Sequence, residues 1–215
     1  MPKRSIYFLF LLPFIFAVLA TMGFGFIYKA AVTLGCLFIL FLAYGSKIVR
    51  SKDTIYITLA FVFSIIGDWF LSNKGDNFLM FAAGIGLYFL AHTGYLVYAL
   101  KNGSLNKLFT FAILAVFLGF FVLVLWPAID DPLLQVSVLL YLLISCFSVG
   151  ASINLKFSTV TKWCYFAGIA LILFSDTIFS FKEFTPYQEL NFLILPTYYA
   201  AHMLITFALV KKIHK

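Results

Sequence analysis

The chain has 215 residues, 64% of them hydrophobic and 11% charged, with a mean hydropathy of +1.06. So much apolar surface has no use in a water-soluble domain of this length, so composition excludes a soluble enzyme or binding module and makes lipid the solvent for most side chains. The net charge of +7 lies in short loops, where it orients a chain in a bilayer, and it does not point to a nucleic-acid partner.

Apolar runs separated by short polar or glycine-containing breaks predict eight spans, at about 5–22, 25–44, 54–72, 77–100, 107–126, 133–154, 160–181 and 188–210. Nothing remains for a soluble domain, so the expected fold is an all-α, polytopic membrane bundle of eight transmembrane helices forming one domain over 1–215. The first run has a basic start and a V-x-A ending at Ala20, which also suits a signal peptide. It is read as a retained helix because it completes an even count. Cys36, Cys146 and Cys164 lie singly inside apolar runs, without disulfide or zinc spacing, and read as packing residues.

Lys3, Arg4, Lys47, Arg50, Lys52, Lys101, Lys107, Lys156, Lys162, Lys211, Lys212 and Lys215 fall at the termini or in the even-numbered loops. The odd loops carry Lys74 with Asp76, then Asp130 and Asp131, then Lys182 with Glu183 and Glu189. An excess of cations on one side marks the cytoplasmic face, so both termini are expected there, in the cell (inner) membrane if the host is bacterial.

Two stretches break the apolar pattern in the same way. FSIIGDWFLS (63–72) and LILFSDTIFS (171–180) each hold one aspartate, and Asp176 follows Asp68 by 108 positions (176 − 68). The same offset pairs Ser72 with Ser180 and Lys74 with Lys182, and with a small drift LAHTGYLVYALK (90–101) stands beside AAHMLITFALVK (200–211). This reads as a 4+4 internal repeat with halves of about 1–106 and 107–215. Four spans return the chain to its starting side, so the copies would be parallel about an axis along the membrane normal, with both aspartates at one depth.

A carboxylate inside a membrane helix costs roughly 2.5–3.5 kcal/mol on insertion scales, so it is kept only where something compensates. At ~1.5 Å per residue each aspartate lies roughly 6–8 Å inside the outer boundary. Lys29 comes at similar depth, and His92 and His202 fall deeper, with Tyr95, Tyr141, Tyr198 and Tyr199 near them. A purely structural alternative pairs one aspartate with Lys29 and the other with a serine or tyrosine to lock the bundle. For the histidines a plain cross-helix hydrogen bond is the competing reading. A metal site is chemically open to these residue types, but no His-x-x-x-His or Glu-x-x-His spacing supports one. Pro196, six residues before His202, is expected to kink the eighth span.

These residues resemble the YhhN family, the membrane lysoplasmalogenases. The similarity rests on Lys29 at the head of span two, Gly67-Asp68 in span three, Phe81, Gly84, Phe89, His92 and Tyr95 in span four, Tyr141 in span six, Ser175-Asp176 in span seven, and Tyr198 with position 202 in span eight. It departs from the family pattern at Ala30, where a proline is expected, and at His202, where glutamine is expected. The resemblance implies hydrolysis of the vinyl ether of lysoplasmalogen to a fatty aldehyde and a glycerophospho-base, with a lysophospholipid as substrate and no cofactor.

Such a bond is cleaved by protonating its β-carbon, after which water captures the oxocarbenium ion and the hemiacetal collapses. The reaction needs a proton donor, an anion near the cation, and a water. Two carboxyl groups in a shared apolar site supply the first two, as in glycosidases. Asp68 and Asp176 are therefore assigned as the acid/base pair. Lys29 would steady one of them or meet the lipid phosphate, and His92, Tyr95, Tyr141, Tyr198, Tyr199 and His202 would line the substrate site. Rival readings are a proton- or cation-coupled transporter using the same carboxylates, and a non-catalytic lipid-binding membrane protein.

Overall fold

A computed structural model describes residues 5–45 and 53–213. Lys3, Arg4, Lys47, Arg50, Lys52 and Lys215, on which part of the orientation argument rests, lie outside the described residues. The described chain is all helical. In chain order the helices are α1 (Ser5–Phe8 continuing as Leu11–Thr21), α2 (Phe26–Tyr44), α3 (Thr54–Asn73), α4 (Phe78–Asn102), α5 (Lys107–Phe120), α6 (Pro132–Ser152), α7 (Thr159–Phe184) and α8 (Ile194–Ile213). Seven of these regions are long and apolar enough to cross a membrane. Leu108, Phe111, Val116 and Leu123 of the α5 region are among its most exposed residues, the surface a span presents to hydrocarbon.

Helix starts follow from side chains that satisfy orphan N–H groups. Asn77 accepts from Leu79 and Met80 N–H at 3.0 and 3.1 Å, Asn106 from Phe109 at 3.1 Å, Asp131 from Leu134 at 2.9 Å, and Ser158 from Thr161 at 3.4 Å. Pro132 then occupies the first turn of α6, where its missing N–H costs nothing. Gly75, with φ of 48°, makes the left-handed turn that lets α4 start immediately after α3.

Two expectations are corrected. The first predicted span is helical over Ser5–Thr21, but it is short of a full span and interrupted at Leu9 and Phe10. The cause is Pro13, which cannot donate to the Leu9 carbonyl; that carbonyl instead accepts from Leu12 N at 3.0 Å in a tighter turn. Pro196 does not kink the eighth span either. After a 3-10 turn at Asn191–Leu193, α8 begins at Ile194, so the proline lies in the first turn, where an N–H has no helical partner to lose. Proline does act on α5, whose end widens into a π turn (Phe121–Leu125) and a 3-10 turn (Trp126–Ala128) around Pro127. Gln135 Nε2 caps that end by donating to Ile129 O at 2.7 Å.

The most extensive helix pairs are α3 with α4 and α7 with α8. Most of the remaining contacts also occur in matched sets: α1 with α2 and α5 with α6, α2 with α3 and α6 with α7, α4 with α6 and α8 with α2; the packing of α1 on α8 has no counterpart of like extent between α5 and α4. Close approach relies on small residues in both large pairs. A Cβ on Gly94 would stand 2.6 Å from the Tyr56 carbonyl oxygen of α3, and one on Gly168 would stand 3.0 Å from the Ala201 carbonyl oxygen of α8. Backbone cannot yield as a flexible side chain does. Gly94→Ala is therefore expected to cost about 1–3 kcal/mol, lowering the melting temperature of the detergent-solubilised protein by roughly 2–10 °C. An unchanged melting curve would show that α3 and α4 can separate freely.

Candidate functional site

α3, α4, α6, α7 and α8 leave between them a cavity of about 430 Å³, completed by Lys29 from the second turn of α2. It lies toward the ends of α3 and α7 that carry Lys74 and Glu183, which form an ion pair at 2.8 Å. Asp68 and Asp176 both line this cavity, so the two interruptions of the apolar pattern share one space. Their helical neighbours follow the same rule: Ser72 and Ser180, one turn further along α3 and α7, also face it. On α4 and α8 the lining residues Ile85 and Tyr88 have counterparts in Leu195 and Tyr198, 110 positions later (195 − 85; 198 − 88). The rest of the wall is largely apolar, with Phe81, Phe179 and Phe184 prominent.

Each carboxyl is held by phenol hydroxyls. Tyr88 donates to Oδ1 of Asp68, and Tyr198 reaches Oδ2 of the same carboxyl at 3.4 Å. Tyr141 donates to Oδ2 of Asp176. The Tyr88 ring centroid is 6.3 Å from that of Tyr141 and 6.1 Å from that of Tyr198, so three tyrosines tie the two carboxyls into one polar cluster. In surroundings of low dielectric such bonds are strong, and an unpartnered carboxyl would be costly. Ser175 does not bond its neighbouring aspartate; it donates to Ile194 O at 2.9 Å and fixes α7 to the start of α8.

Of the residues expected at the site, Lys29, Tyr141, Tyr198 and Tyr199 join the aspartates in the cavity wall. Lys29 takes part in none of the ion pairs found among the described residues, which leaves its ammonium available to a ligand. The Tyr199 hydroxyl is buried without a partner among the described residues. His92, Tyr95 and His202 do not line the cavity; they are fully or almost fully buried behind it. His92 Nε2 lies 3.0 Å from the Tyr141 hydroxyl and 3.9 Å from Asp176 Oδ2, and the Tyr95 ring packs edge-on to His92 at 5.7 Å. His202 uses Nδ1 on its own helix, 3.0 Å from Tyr198 O, and its ring packs 4.5 Å from that of Tyr198. Among the described residues no three His, Cys, Asp or Glu side chains gather as a metal-ligand set.

Sequence reasoning missed Tyr88, which bonds Asp68 directly. The signal was present: Tyr88 is one turn before His92 and two turns after Phe81, on one face of α4 with Gly84 and Tyr95. Gly67 of α3 makes room for it, since a Cβ there would meet the Tyr88 ring at 3.1 Å. The Gly-Asp pair is thus a steric and a chemical requirement in adjacent positions.

No curated protein and no solved structure matches the chain. The YhhN family model matches residues 8–209, a stretch that holds every cavity residue described above, and the chain belongs to the YhhN family.

Proposed function

We propose that the protein hydrolyses the vinyl ether bond of a lysoplasmalogen, releasing a fatty aldehyde and a glycerophospho-base, with Asp68 and Asp176 as the acid/base pair. The observation that carries this reading is the convergence of two aspartates and a lysine outside any ion pair among the described residues on one largely apolar cavity, whose other charged wall residues, Lys182 and Glu183, are paired with each other. Its volume of about 430 Å³ is in the range of small-molecule sites. The phenylalanine side of the wall suits the alkenyl chain, and Lys29 suits the phosphate. The vinyl ether then lies between them, beside the carboxyls. One carboxylic acid protonates the β-carbon; the other, as carboxylate, faces the oxocarbenium ion and takes a proton from the attacking water. Tyr88, Tyr141, Tyr198 and Tyr199 orient the carboxyls, the water or the glycerol hydroxyl, while His92, Tyr95 and His202 act from behind the wall. No step requires a metal or an organic cofactor.

Purified protein in detergent, given a lysoplasmalogen in deuterium oxide, should release aldehyde carrying one deuterium on the carbon next to the carbonyl. That label reports β-carbon protonation. Absence of aldehyde removes the reading, and aldehyde without label removes the mechanism.

The matched helix contacts and the paired cavity residues support the 4+4 repeat about an axis along the membrane normal; with α1 crossing as its counterpart α5 does, both termini lie on one side, and the lysines of the even-numbered loops make that side cytoplasmic. Reporters active only in the cytoplasm should therefore give signal from either end of the chain, and silence from one would break the eight-helix count.

A further inference from the structure

The two aspartates are equivalent in the scaffold but not in their partners. Tyr88 and Tyr198 are matched positions on α4 and α8, yet both approach Asp68. Asp176 is served by Tyr141 of α6, and behind Tyr141 stands His92. His202, the counterpart of His92, has its Nδ1 turned to its own helix and bonds to no phenol. Partners of these two kinds suit different work. Two phenol donors, with Lys29 in the same wall, are what a carboxylate wants. A single phenol held by an imidazole suits the other work: Tyr141 gives its one proton to Oδ2 of Asp176, so His92 Nε2 donates to the phenol oxygen, and Oδ1 of Asp176, which receives no phenol among the described residues, is left to carry a proton. The Nδ1 atom of His92 is buried without a partner among the described residues, which suits the neutral tautomer with its proton on Nε2.

Resting on the vinyl ether reading above, we propose that Asp176 is the carboxyl that gives up and regains the proton, that Asp68, with a phenol on each oxygen, is the carboxylate facing the cation, and that His92 is a positioning residue that keeps the Tyr141 hydroxyl aimed at Oδ2 in both states of Asp176. The cycle balances. The Asp176 acid forms the new C–H bond and becomes a carboxylate. Asp68 takes a proton from water as the C–O bond of the hemiacetal forms. On collapse the Asp68 acid protonates the departing glycerol oxygen and the hemiacetal hydroxyl returns its proton to Asp176, so one water is consumed and both groups are restored.

Formate rescue separates the roles, because a vacated aspartate site can admit either the anion or the acid. In Asp68→Ala rescue should follow formate ion, and in Asp176→Ala it should follow formic acid, whose share falls about tenfold per pH unit well above a carboxyl's pKa. Measured from pH 5.5 to 7.5 in the detergent-purified protein, the two rescue slopes should differ by about one log unit per pH unit. His92→Phe should lower kcat about tenfold with KM within twofold, and His92→Gln, whose amide N–H can donate to Tyr141 as Nε2–H does, should recover most of the loss. Equal slopes, inverted slopes, no rescue in either variant, or a His92→Gln as impaired as His92→Phe would each overturn the assignment. A wild type that releases no aldehyde fails the proposed reaction itself, whereas an active wild type with equal slopes fails this assignment alone.

Discussion

Asp68→Asn and Asp176→Asn should each reduce aldehyde release by on the order of 10² or more, the usual scale for removing an acid or base from its site. The substitution keeps the shape and most of the hydrogen bonding. At position 68 one of Tyr88 and Tyr198 keeps an amide oxygen to donate to and the other can accept from the amide N–H, and Tyr141 keeps an amide oxygen at position 176. Only the titratable proton is gone. Neither variant should lose the bundle, because an amide is cheaper to bury than a charge. Expression, elution volume and melting temperature in detergent should therefore match the wild type while turnover collapses. A purely structural role for the pair gives the opposite pattern, in which each variant stays active and becomes less stable or no stable protein is recovered. The double variant adds a further check. Two groups that act in one chemical sequence are not additive, so it should be little slower than the worse single variant.

The helix positions were legible because the bilayer sets the length of each run, and the ends fell within a few residues of the cap residues Asn77, Asn106, Asp131 and Ser158. Proline was read less well. Pro13 interrupts α1 and Pro196 opens α8, and the difference depends on where the helix starts, which an apolar run does not mark. The aspartates were legible for the reason that makes them expensive: nothing else in α3 or α7 explains a carboxyl in hydrocarbon. Their placement in one cavity followed from the 108-position offset. Their partners did not follow from it. A repeat predicts matched partners, but Tyr198 turns to Asp68 and Tyr141 takes Asp176. That choice is made by rotamers and by the entry of α6 between α4 and α7, which no spacing along the chain encodes. His92, Tyr95 and His202 were expected to line the substrate site, but they are buried behind the wall and not in it, and spacing along the chain does not separate a residue of the wall from one behind it.

Lys29→Met keeps the length and the apolar stem of the side chain and removes only its charge, so it tests what the ammonium does. If Lys29 meets the lipid phosphate, the variant loses one charge-assisted contact, about 1.5–3 kcal/mol, and KM for lysoplasmalogen should rise by roughly 10- to 150-fold. The phosphate is remote from the vinyl ether and unchanged between ground and transition state, so this is uniform binding and kcat should fall by less than tenfold. Asp68 keeps the Tyr88 and Tyr198 hydroxyls in the variant and does not depend on Lys29 alone. Lys29→Arg should retain most of the affinity, since a guanidinium binds phosphate at least as well as an ammonium. The competing role, a cation that serves mainly to hold Asp68 ionised, reverses the split: kcat then drops by 10² while KM stays within a few-fold. Steady-state kinetics of the two variants against wild type, at one detergent concentration and one ionic strength, decides between a lysine that holds the substrate and one that holds the catalyst.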